Sequence, residues 1–138
     1  MISSELLMIN PLNLAVAELF VLRQQYQVKT ALHGQAAVDL MLNNNFKTEP
    51  IKLVLMDLQM PLMEGYAITK TLRDLVKQNK ISDTPIVALT ANDSIDDRKT
   101  CSEFGMRDYL TKPIKDSELT RVLNRYVKKW FVEYGKCL

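Results

Sequence analysis

Cysteine is scarce in this chain: Cys101 and Cys137 are the two it carries in 138 residues. Two thiols cannot build a disulfide framework, so a reducing cytoplasm is the expected setting. Neither has a neighbouring motif for redox chemistry. Histidine is scarcer still. His33 stands alone, and a metal or catalytic role would need a partner that its surroundings do not offer. A solvent-facing loop position is expected for it. No apolar run approaches the ~20 residues of a membrane span. The start, Met1-Ile-Ser-Ser-Glu, lacks the basic-then-apolar layout of a signal peptide. An excess of one charge is missing as well, since a net charge of +2 is too small to argue for nucleic acid. What is present is ordinary globular composition, with 47% hydrophobic and 25% charged residues. That excludes disordered, collagenous and low-complexity classes. At ~150 residues per domain, the length suits a single domain over 1–138, and the chain can bury roughly two-thirds of its unfolded surface.

The apolar pattern alternates between short runs and helical spacing. Glu5 to Ile9 predicts a buried strand, followed by a helix from Pro11 to Gln25 capped by Asn10. Leu12, Val16, Leu19, Phe20 and Val21 give that helix one apolar face. Val28 to Leu32 predicts a second strand, broken by Gly34, and Ala36, Ala37, Leu40 and Met41 mark a second helix that ends at Asn43-Asn44-Asn45. The run Leu53 to Met56 suits a strand covered on both faces, as in a parallel sheet. After Met60-Pro61, Tyr66, Ile68, Thr69, Leu72, Leu75 and Val76 predict a third helix. The stretch Lys77 to Thr84 reads as a loop. Pro85 to Leu89 predicts a fourth strand, Ser94 to Phe104 a helix stopped by Gly105, and Arg107 to Thr111 a short fifth strand. Asp116 is expected to cap a last helix whose stripe is Leu119, Val122, Leu123, Tyr126, Val127 and Trp130. Five alternations in one domain predict an open α/β sheet, with ligands at the carboxyl ends of the strands.

Three polar residues fall at those ends: Asp57 after strand three, Thr90 after strand four and Lys112 after strand five. An isolated Asp after a strand is most often a loop or cap residue. A carboxylate, a hydroxyl and an ammonium on one rim together suit phosphoryl acceptance, with the carboxylate as nucleophile. The protein then mainly positions and neutralises the transferred group.

These residues carry a resemblance. Leu53-Val-Leu-Met-Asp57-Leu-Gln-Met60-Pro61-Leu-Met-Glu64-Gly65, Pro85-Ile-Val-Ala-Leu-Thr90-Ala91-Asn92 and Tyr109-Leu-Thr-Lys112-Pro113-Ile114 resemble a response-regulator receiver domain. The likeness runs over a core of about 5–132, and Pro85 to Asn92 is similar to receivers fused to hybrid histidine kinases. The resemblance implies a flavodoxin-like, doubly wound, five-stranded parallel sheet in the order 2-1-3-4-5, with five helices. It implies Asp57 as the phosphorylation site, Thr90 as the switch hydroxyl, Tyr109 as the aromatic that reorients and Lys112 as the phosphate partner. It also implies a cis peptide before Pro113. Implied partners are a histidine kinase or a histidine phosphotransfer domain, and a homodimer through helix four, strand five and helix five. The chain is then expected to be a phospho-acceptor rather than an enzyme, either standing alone or as part of a larger kinase.

The pattern fails at one place. Asn10-Pro-Leu-Asn13 supplies the family's two asparagine positions, which leaves Met8 and Ile9 where the family has two acids. Receivers hold Mg²⁺ with those acids, the phospho-acceptor and a backbone carbonyl, here Gln59. Mg²⁺ wants hard oxygen ligands, and neither a thioether nor a hydrocarbon supplies one. Mg²⁺ binding is therefore expected to be weak or absent, Met8 and Ile9 to belong to the core, and Asp57 to rest in a direct ion pair with Lys112. A pseudo-receiver acting as a phosphorylation-independent interaction module is the alternative. A phosphatase-like hydrolase is disfavoured, because Gln59 stands where a second carboxylate would be needed. Arg121, Arg125, Lys128 and Lys129 read as the solvated or docking side of the last helix, and Trp130, Phe131 and Tyr134 as an aromatic cluster packed on the core.

Overall fold

Leu6 to Ile9 are four apolar residues in a row and none has any exposed surface. Such a run is stable only with cover on both sides, and the computed structural model supplies it. The model describes residues 5–9, 19, 21–43, 51–58, 62–91 and 95–128, with the side chains of 62–64, 95–97 and 128 outside the description. Asn10, Pro11, Asn13, Asn44, Asn45, Gln59, Met60, Pro61, Asn92, Ser94, Lys129, Trp130, Phe131, Tyr134 and Cys137 lie outside the described residues, and so do the expectations that rest on them.

In chain order the elements are β1 (Glu5–Ile9), a helical segment at 21–23 (α1), β2 (Gln27–Ala31), α2 (Gly34–Asn43), β3 (Ile51–Asp57) and α3 (Leu62–Lys77). Then come β4 (Ile86–Thr90), α4 (Ile95–Glu103), β5 (Asp108–Thr111) and α5 (Asp116–Leu123), which continues as a π-helical turn over Asn124–Lys128. The strands form one parallel sheet in the order β2-β1-β3-β4-β5. This is the fold class the sequence predicts.

Alternation along each strand builds two core layers. Leu7, Ile9, Val54, Met56, Ile86 and Ala88 face one way, against Ala37 and Met41 of α2, Tyr66, Ile68 and Leu72 of α3 and Cys101 of α4. Leu6, Met8, Leu53, Leu55, Val87 and Leu89 face the other way, against Val21 of α1 and Leu119, Val122, Leu123 and Val127 at the end of the chain's described part. Burying one such side chain is worth about 1.5–3 kcal/mol. Among the described residues, no helix is long and apolar enough to cross a membrane.

Several local readings are corrected. Gly34 does not break a strand. It opens α2, and a Cβ there would lie 2.4 Å from Ile68 Cγ1, so its role is close helix packing. Asp116 does not cap α5. Lys115 is the N-cap residue and makes no side-chain cap bond, while Asp116 sits in the first turn, where a carboxylate favours the helix dipole. His33 is exposed but has a job, since its Nδ1 accepts the Ala36 N–H at 3.3 Å at the start of α2. Gly105 does end α4 as expected, with φ +104 and the Met106 N–H bonded back to the Cys101 carbonyl at 3.0 Å.

Candidate functional site at the carboxyl rim of the sheet

Parallel strands end together, and so the rim is built by register. Asp57 is the last residue of β3 and lies level with Leu89 of β4. Thr90 closes β4 level with Thr111 of β5. Lys112 follows directly, and its N–H donates to the Thr90 carbonyl at 2.8 Å. The Lys112–Pro113 peptide is cis. Asp57 has no exposed surface, and the half-buried Thr90 stands on the strand beside it. Lys112 Nζ reaches across to Asp57 Oδ1 at 2.6 Å, with its own side chain 15% exposed. A buried carboxylate is costly without a cation, and this one has its cation in direct contact.

Tyr109 lies two residues before the end of β5, level with Ala88. The guanidinium of Arg98, from α4, sits over its ring at 4.3 Å, a cation–π contact. Tyr109 is thus on the strand that leads to Lys112, but against α4 rather than Asp57. Arg98 is a contact that sequence reasoning missed, because nothing in the spacing of an exposed arginine says which ring it will cover.

A second missed residue is Asp108. It accepts from Arg121 at 3.0 Å, from the Tyr126 hydroxyl at 3.1 Å and from the Tyr109 N–H at 2.8 Å, and Arg125 stands 4.0 Å away. Burial pushes its carboxyl up, yet the bonds from Arg121, Tyr109 and Tyr126 outweigh this and hold it below the ordinary value. The signal in the sequence was the pairing of Arg121 with Arg125 and Tyr126, one turn further along the same side of the last helix.

Met8 and Ile9 stand at the rim end of β1, beside β3. Met8 is level with Leu55 and Ile9 with Met56, and neither is exposed at all. Their side chains belong to opposite core layers. The chemistry of this donor set does not suit Mg²⁺: the strand that could bring two hard oxygens beside Asp57 brings a thioether and a hydrocarbon.

Comparison with known proteins gives the context of this rim. The family model for the response regulator receiver domain matches residues 10–124. The sensor histidine kinase GacS of Pseudomonas protegens is 36% identical over 121 residues, covering 88% of this chain and 12% of that protein. Hybrid signal transduction histidine kinase B of Dictyostelium discoideum is 44% identical over 85 residues, covering 56% of this chain and 4% of that protein. The chain therefore spans a small part of the curated relatives it matches. Among solved structures, the receiver domain of the Pseudomonas aeruginosa sensor histidine kinase PA1611, with magnesium coordinated in its active-site cleft, matches with TM-score 0.73 and 33% identity. That match covers 92% of this chain and 99% of the other. A co-crystal structure of the Saccharomyces cerevisiae phosphotransfer protein Ypd1 with the receiver domain of Ssk1 matches with TM-score 0.75 and 31% identity, over 90% and 88% of the two chains.

Proposed function

This chain belongs to the response-regulator receiver family, and from that premise we propose that it accepts a phosphoryl group on Asp57 from a histidine kinase or a phosphotransfer domain. The observation that carries the reading is the Asp57–Lys112 pair at 2.6 Å on the rim. A carboxylate oxygen of Asp57 attacks phosphorus, the P–N bond to the donor imidazole breaks, and the imidazole keeps the electron pair and takes up a proton. Lys112 then faces a phosphoryl oxygen instead of a carboxylate, and the Thr90 hydroxyl is placed to donate a hydrogen bond to another. The consequence passes along β5 to Tyr109 and the face made by α4, β5 and α5, where partners would read it. The chain is a switch and turns over no substrate of its own. The Ypd1–Ssk1 complex supports a phosphotransfer protein as donor.

The metal site is degraded in this reading. With Met8 and Ile9 as core residues, Asp57 accepts phosphate slowly, and Mg²⁺ binds at millimolar concentration or worse, about −4 kcal/mol or weaker. No step depends on it. The same observation favours a second reading, a pseudo-receiver that binds partners without being phosphorylated.

A radiolabelled phosphohistidine donor separates the two. The expected result is slow, hydroxylamine-labile label that is absent in Asp57→Ala and little changed by chelator. Replacing both strand residues, Met8→Asp with Ile9→Asp, should speed labelling and give measurable Mg²⁺ affinity by calorimetry. No label on the parent chain under any metal condition would leave the pseudo-receiver reading standing alone.

A further inference from the structure

Between α4, β5 and α5 lies an open cleft of about 350 Å³, lined in part by Arg98, Tyr109, Lys115, Ser117, Glu118 and Arg121. Its charged lining is three cations and one acid, and that acid, Glu118, is already bonded to Arg121 at 2.9 Å within the same wall. Arg98 and Lys115 are exposed on opposite sides of it, with the Tyr109 ring between helix and strand under the Arg98 guanidinium. The first turn of α5 borders the cleft through Ser117 and Glu118. The volume is at the small end of ligand clefts. It has room for side chains of an extended segment and not for a rigid domain.

We propose that this cleft docks an acidic segment of a partner protein, which names the partner for the switched face and rests on the receiver reading for its signalling meaning. Charge decides between that occupant and a second copy of the chain. A two-fold contact through this face would set Arg98, Lys115, Arg121 and Arg125 against their own copies, because such an interface pairs one patch with itself. Asp108, the acid that could relieve this, is held by Arg121 and the Tyr126 hydroxyl in its own chain. Like charges facing each other across an interface are strongly unfavourable, whereas an acidic segment is complementary to the patch. Because β5 carries both Tyr109 in the cleft wall and the approach to Lys112, occupancy of the cleft and the state of Asp57 act on one strand. Any coupling between them is reciprocal.

The test uses the whole chain and a glutamate-rich decapeptide, with its lysine counterpart, inorganic phosphate and a single-stranded oligothymidylate as comparison probes. Expected are amide NMR shifts at Arg98, Tyr109, Lys115 and Ser117 with the glutamate peptide. Arg98→Glu and Lys115→Glu should each weaken binding by roughly tenfold, and Lys80→Glu, at the far end of the sheet, should leave it unchanged. Scattered or absent shifts overturn the proposal. So does equal binding of oligothymidylate or phosphate, and so does a dimer in sedimentation that Arg98→Glu dissociates. The titration is repeated with Asp57→Ala. Binding retained there keeps the cleft even if phosphoryl labelling fails, and labelling without peptide binding removes the cleft alone.

Discussion

At the scale of single residues, the rim is controlled by one contact. Lys112 is the cation beside a carboxylate with no exposed surface, and the neighbouring strand end supplies hydrocarbon and thioether in place of charge. Removing one partner of such a pair leaves the other stranded in a poor dielectric. Lys112→Ala should therefore destabilise the fold by about 2–4 kcal/mol, read as a shift of the urea midpoint. The double variant Asp57→Asn with Lys112→Met should recover most of the loss, because neither charge is then left alone. Equal midpoints for the parent and Lys112→Ala would mean that another cation serves Asp57. Asp57, Thr90 and Lys112 were legible from sequence because each ends a strand, and parallel strands bring such ends together. His33 was not, because imidazole is an uncommon partner for a helix's first amides, where Ser, Thr, Asp and Asn dominate.

At the scale of elements, α2 and α3 meet through an absent side chain. Gly34 in the first turn of α2 lets Ile68 of α3 lie where a Cβ would otherwise stand, at 2.4 Å from Cγ1 and 2.6 Å from Cδ1. Neither atom can shift far, since Ile68 is itself buried in the layer beneath. Gly34→Ala should cost about 1–3 kcal/mol by overpacking, although alanine is the better helix former by roughly 1 kcal/mol. Thermal unfolding of Gly34→Ala, alone and with Ile68→Val, checks the cause, because the smaller partner removes the Cδ1 clash and should return part of the loss. The sequence showed that a glycine stood there and that two helices followed. It did not show that they crossed at that point, since a crossing depends on helix orientation, which no local pattern encodes.

For the whole molecule, two carboxylates tie the start of β5 to its surroundings. Asp83 takes Arg73 of α3 at 2.6 Å and Arg107 at 2.9 Å, and Asp108 takes Arg121 of α5 at 3.0 Å. The Arg73 hydrogen bond is the largest influence on Asp83 and holds its carboxyl below the ordinary value, and the bonds to Asp108 outweigh burial in the same direction. A carboxyl lowered in the folded state binds fewer protons than the unfolded chain does. The stability it adds is complete above the unfolded value of 3.8 and is lost as pH falls through the lower folded value. Tm should fall on acidification from about pH 5 to about pH 2, and less steeply in Asp108→Asn than in the parent. Identical slopes would show that Asp108 contributes nothing to acid stability. The sheet order, the layers and the rim were within reach of the sequence because they follow from alternation. These long-range ion pairs were not, because an arginine's reach lets it choose among many acids.

The Asp57–Lys112 contact has one more consequence. In the order β3-β4-β5, the two residues belong to strands that are not neighbours, so the ion pair passes over the end of β4 like a strap. β5 is four residues long and stands at the edge of the sheet, the place where fraying begins. The strap fastens that edge to the buried middle strand. Whatever occupies the Asp57 carboxylate thus sets how often the edge opens, and the loosest part of the sheet becomes a gauge of its most enclosed charge.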